Sequence, residues 1–153
     1  MQAPIPLQLA GQTLWLSAMR VAYWEEARTL LAADLHFGKT GHFRKSSIPI
    51  PQSVFRQDMQ RLFDQVQHFQ PDRLMILGDM FHSLHNAELE WFGSWRENRT
   101  NMAITLVKGN HDILSHHHYQ KLAIEVVEQT LHAAPFLLTH EPDLKAGAST
   151  WTI

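Results

Sequence analysis

Four apolar runs in this 153-residue chain each end in residue types that hold metal ions. Thr29–Ala33 (TLLAA) runs into Asp34-Leu35-His36, and Arg73–Leu77 (RLMIL) runs into Gly78-Asp79. Ala103–Val107 (AITLV) runs into Lys108-Gly109-Asn110-His111-Asp112, and Phe136–Thr139 (FLLT) into His140-Glu141. In open α/β sheets ligands bind at the carboxyl ends of strands, so these segments would aim two carboxylates, three imidazoles and an amide at one edge. Asp34 and His36 are two apart, which in extended chain puts both on one side, able to grip one ion. Gly78 and Gly109 let the backbone turn sharply and approach the site closely.

Taken singly, an Asp-x-His or a Gly-Asp after a strand is an ordinary turn or surface feature. Gly-Asn-His-Asp is more specific: four defined residues recur by chance in on the order of one chain in a thousand at average usage. Its position after a strand, behind two other strand-end carboxylates, makes coincidence a poor account.

The elements that must position these groups can be read from pattern. Thr13–Ser17 and Arg20–Trp24 suggest a hairpin. The continuous apolar runs suit strands buried on both faces. In Gln52–Phe69 the residues Phe55, Met59, Leu62, Val66 and Phe69 step at helical spacing, with Pro51 at its start and Pro71 beyond its end. Residues 86–98 predict a helix capped by Asn86, with Leu89, Phe92 and Trp95 inward, and residues 113–122 another. Ile124–Val127 adds a strand. Strands alternating with helices predict an α/β domain with a parallel or mixed sheet over residues 1–153.

Composition narrows the chemistry further. At this length one domain buries roughly 68–70% of its unfolded surface, so it needs no metal or disulfide merely to fold. The absence of cysteine excludes disulfides, thiolate zinc sites, iron–sulfur clusters and cysteine nucleophiles. Thirteen Lys+Arg against fifteen Asp+Glu give a formal charge of −2, so any anion binding must be local. The first nineteen residues are uncharged, but Gln and Pro interrupt them and no basic residue precedes the apolar part, unlike a signal peptide. No stretch reaches the 18 or so apolar residues of a membrane helix. A cytoplasmic protein without membrane contact is expected.

Asp34-x-His36, Gly78-Asp79, Gly109-Asn110-His111-Asp112 and His140 resemble the signature of the calcineurin-like metallophosphoesterases. The stretches Asp34-Leu-His-Phe-Gly-Lys, His42-Phe-Arg44-Lys, Ile48-Pro-Ile-Pro51 and Gly78-Asp-Met-Phe-His82-Ser resemble one branch, the ligase-associated DNA-damage-response endonucleases. The resemblance implies a four-layer sandwich of two mixed β-sheets flanked by helices. It implies two divalent ions, manganese with iron or zinc as alternatives. One would take Asp34, His36 and Asp79; the other Asp79, Asn110 and His140, with Asp79 bridging. A metal-bridging hydroxide would attack a phosphate ester, more specifically a diester and in this branch DNA or RNA. His111 would protonate the leaving alkoxide, oriented by Asp112. DNA-repair proteins such as a ligase or helicase become expected partners.

The family closes its site with Gly-His-x-His after a last strand. Here Ser149–Ile153 reads as the start of that strand and the sequence stops, so a C-terminally incomplete member is expected. The alternatives are an impaired member that binds phosphate or a partner without catalysis, and a one-metal hydrolase built on Asp34, His36 and Asp79. Lys39, His42, Arg44 and Lys45 form a basic loop that could grip phosphate, and His82 and His85 could flank the site. His116–His118 reads as an exposed helix face, His68 and His132 as structural, and Trp15, Trp24, Trp91 and Trp95 as core.

Overall fold

The computed structural model describes residues 2–37, 52–81, 87–141 and 151–152. Among the described residues ten strands form two sheets. The larger has seven in sequence order: β1 (Ile5–Leu9), β2 (Gln12–Ser17), β3 (Val21–Trp24), β4 (Thr29–Ala33), β5 (Arg73–Leu77), β6 (Ala103–Val107) and β7 (Ile124–Val127). β1 to β4 pair antiparallel and β4 to β7 parallel. The smaller sheet runs β10 (Trp151–Thr152), β9 (Phe136–Thr139), β8 (Thr130–Ala133), parallel then antiparallel. Among the described residues three helices accompany them: α1 (Gln52–Phe69), α2 (Ala87–Glu97) and α3 (His116–Lys121).

The continuous apolar runs are explained by burial on two faces. Leu30 and Ala32 of β4, Leu74 and Ile76 of β5, and Ile104 and Leu106 of β6 join one core with Met59, Leu62 and Val66 of α1, Phe92 and Trp95 of α2, and Tyr119 of α3. The alternate residues Leu31, Met75, Leu77 and Val107 point the other way, into a second core with Trp24 and with Phe136 and Leu138 of β9. Period-two alternation therefore sends successive side chains of these strands into different cores. Leu30, Leu74, Ile76, Leu106 and Leu138 are fully buried, each contributing about 1.5–3 kcal/mol over an exposed position. Helices on one face and the smaller sheet on the other give two mixed sheets with helices, as the resemblance implied; helix, sheet and sheet are the layers among the described residues.

Register sets the site. Ala33 pairs with Leu77, and Leu77 with Val107, so β4, β5 and β6 end level and release their next residues along one edge. The hairpin is β2–β3, as expected. The helix expected over 113–122 is shorter, because Ser115 is extended at φ −70° and ψ 155° and the helix begins only at His116. Trp24 and Trp95 are core, whereas Trp15 is only half-buried and donates its Nε1–H to Glu25 at 2.7 Å. His68 and His132 are exposed, His68 with its ring edge-on to Phe69 at 4.7 Å. The side chains of Phe55 and Asn86 lie outside the described residues. Among the described residues no helix is long and apolar enough to cross a membrane.

Candidate metal centre at the carboxyl edge

Asp34, Asp79 and His140 each offer a ligand atom, and the three lie within 4.8 Å of one another. His140 Nδ1 is 3.8 Å from Asp34 and its Nε2 3.7 Å from Asp79 Oδ1. His36 adds its Nδ1, 3.8 Å from the other Asp79 oxygen. Asp79 is thus the shared member, its side chain 5% exposed against 57% for Asp34. Four of the five donors expected for two half-sites, Asp34, His36, Asp79 and His140, lie close together, but the tight triad crosses that division, since His140 approaches Asp34 as well as Asp79.

Backbone conformation aims these groups. Asp34, His36 and Asp79 have φ of 51°, 50° and 51°, in the left-handed region where residues with a Cβ are strained by about 1–3 kcal/mol each. Gly78 before Asp79 also has positive φ, 78°. The strain is held by neighbours: the His36 N–H donates to the Asp79 carbonyl and the Phe37 N–H to the Met80 carbonyl, both at 2.8 Å. The glycines are required by closeness. A Cβ on Gly78 would strike the His140 ring, and one on Gly109 would meet the Asp79 side chain and lie 2.6 Å from its backbone nitrogen.

Asp112 is bonded to the backbone of two loops. Its Oδ2 accepts the backbone N–H groups of Asp79 at 2.7 Å and Gly109 at 2.9 Å. Its Oδ1 accepts those of Met80 at 2.8 Å and Phe81 at 3.3 Å, and the Tyr119 hydroxyl at 3.3 Å. This buried carboxylate clamps the loop after β5 to the loop after β6. Burial, then the charge and hydrogen bond of Asp112, push the Tyr119 hydroxyl well above its ordinary range, so it remains a donor. Nothing in the sequence marked Tyr119 for this part.

His111 is exposed beside the centre, its backbone N–H donating to Asp79 Oδ1 at 3.0 Å and its ring 6.4 Å from that of His36. Asn110 is also exposed and shares an open depression with His140 and Lys108. On the other side, Asp34 and His36 line a separate cleft. His42, Arg44 and His82, with Lys39, Lys45 and His85, lie outside the described residues. His116 is engaged, 2.8 Å from Glu128, which also binds Lys108 at 3.3 Å.

The donor set fits divalent metal ions. Carboxylate oxygen and imidazole nitrogen without thiolate suit manganese, iron or zinc. Among the described residues no Lys or Arg ion pair neutralises Asp34 or Asp79.

Residues 27–142 match the family model described as calcineurin-like phosphoesterase. Among solved structures, the nuclease MPE of Pseudomonas putida is similar at 30% identity and a TM-score of 0.81, over 97% of this chain and 70% of the nuclease. No curated protein matches the chain.

Proposed function

The chain belongs to the calcineurin-like phosphoesterase family, and from that membership we propose that it is a metal-dependent phosphodiesterase acting on nucleic acid. The observation that carries this reading is the convergence of Asp34, Asp79 and His140 within 4.8 Å at one sheet edge. Likeness to a solved nuclease supports a diester as substrate. Asp34, His36 and Asp79 would hold one ion, and Asp79, Asn110 and His140 a second, manganese foremost. Bound ions there would make water nucleophilic at neutral pH and draw charge from the phosphoryl group.

The chain's own residues complete the reaction. As water oxygen bonds to phosphorus, the bond to the leaving oxygen breaks and that alkoxide needs a proton. His111, exposed beside Asp79, supplies it. Asp112 acts at one remove, as a positioning residue that holds Asp79 and Gly109 by their backbones. The same reading makes residues 1–153 one domain of a cytoplasmic protein that works with a DNA ligase or helicase.

One observation favours a second reading, a one-metal hydrolase: the described donors form a single three-residue group. Metal analysis after manganese loading, with hydrolysis of bis-nitrophenyl phosphate and an oligonucleotide, tests both. Two ions per chain with diester cleavage support the two-metal reading, and one ion with cleavage supports the second. Loaded protein that cleaves neither substrate would sink the phosphodiesterase reading.

A further inference from the structure

The cleft on the Asp34 side is lined by two cations that play no part in the metal centre. It encloses about 200 Å³ between the β2–β3 turn, the end of β4 and α1, and Arg20 and Arg61 share its walls with Asp34, Asp58 and His36. We propose that this cleft is a second substrate subsite, in which Arg20 and Arg61 grip a backbone phosphate of the strand next to the one being cut. The proposal rests on the phosphodiesterase reading and adds the place where a polymeric substrate is held.

Both arginines are presented by fixed structure. Arg20 sits at φ 62° in a turn closed by its N–H on the Ser17 carbonyl at 3.1 Å. That turn is pinned to α1: the Ser17 hydroxyl donates to Gln65 Oε1 at 2.8 Å and accepts the Met19 N–H at 3.2 Å, and Gln65 is 1% exposed. Arg61, one helical turn before Gln65, is oriented by Asp58 at 3.0 Å. Among the described residues Arg20 has no ion pair. Planar guanidinium groups match phosphate oxygens in bidentate geometry, and holding them in place beforehand lowers the entropy cost of binding.

The depression across the centre is a poorer place for an anion: Glu128 and Glu141 line it together with Lys108, and Lys108 is paired with Glu128 at 3.3 Å. The cations that favour phosphate are on the Arg20 and Arg61 side. A small monoester has no second phosphate to place there. A nucleic-acid strand has one, which lets a chain of net charge −2 bind a polyanion through local cations.

The test is fluorescence anisotropy with a labelled single-stranded DNA oligonucleotide, in EDTA so that no hydrolysis intervenes. Arg20→Ala with Arg61→Ala should weaken binding by at least about tenfold. It should also make the plot of log affinity against log salt shallower by roughly 0.7, the share of the one phosphate no longer neutralised on a single strand. RNA of the same sequence should lose as much, because phosphate and not sugar is gripped. Arg28→Ala removes the same charge at the opposite end of β4 and should change neither quantity. A double variant that binds DNA or RNA like the parent, or an Arg28→Ala loss of equal size, would overturn the proposal. Parent protein that binds the oligonucleotide through these arginines yet never cleaves a diester with manganese would sink the phosphodiesterase reading instead.

Discussion

The Asp112 carboxylate accepts the backbone N–H of Asp79 at 2.7 Å, so the candidate shared donor is held from behind by a residue whose side chain never needs to touch an ion. Four backbone donors and the Tyr119 hydroxyl converge on it. Asp112→Ala would leave them buried without a partner, and stability should fall by about 3 kcal/mol or more. Urea denaturation measures this; a loss under 1 kcal/mol would show that the clamp carries little.

Asp79→Asn separates charge from shape. The amide oxygen can still accept the His111 N–H that Asp79 accepts at 3.0 Å, so the fold should survive. Metal content should fall below two ions per chain and diester hydrolysis should vanish. Two ions retained, measured by elemental analysis, would remove Asp79 from the bridging role.

His111→Ala should leave metal content intact and lower turnover by roughly 10²–10⁴-fold. A good leaving group such as nitrophenolate needs little protonation, so the loss should be smaller there than on an oligonucleotide. Equal losses on both would take His111 out of the proton-donor role.

Gly109→Ala tests closeness. The new methyl would lie 2.6 Å from the Asp79 nitrogen and 3.0 Å from the Gly78 Cα, so backbone must move. Stability should drop by about 1–3 kcal/mol, and metal affinity by roughly 10–100-fold as Asp79 is displaced. Unchanged affinity by titration calorimetry would show that the loops can separate without cost.

Acid should act on the Glu128 network. Hydrogen bonds from Lys108 first, then His116, hold the Glu128 carboxyl below its ordinary value of 4.5. A depressed folded-state pKa adds stability that is present above the unfolded value and lost as pH falls through the folded one. The stability gap between parent and Glu128→Gln should therefore be steady near pH 6 and narrow below about pH 4.5. A gap that widens on acidification would reverse the sign of the assignment.

How much was legible depended on whether burial left a pattern. TLLAA, RLMIL, AITLV and FLLT were legible as strands because both of their faces are buried. α1 was legible from its period and flanking prolines. β1 was not, since Pro6 and Gln8 break its apolar run; as an edge strand it tolerates both. β8 mixes polar and small residues over four positions and gave no signal. Asp34, His36, Asp79 and His140 were legible as candidate donors because each follows the end of a strand. The work of Asp112 was hidden, as a carboxylate bonded to backbone amides leaves no periodicity. Arg20 and Arg61 are far apart in sequence, and only the pairing of Ser17 with Gln65 across the fold makes them neighbours in one cleft.

Parallel pairing of β4, β5 and β6 and the separate pairing of β9 mean that the donors come from segments distant along the chain. Asp34 and His140, about a hundred residues apart, meet only after the slow, long-range contacts of both sheets are made. An unfolded or half-assembled chain offers no comparable nest, so an ion selects the finished fold. At a hundred times its dissociation constant it would add about 2.7 kcal/mol to folding. The melting temperature should then climb with free manganese, making thermal shift a readout of the assembled centre that requires no substrate.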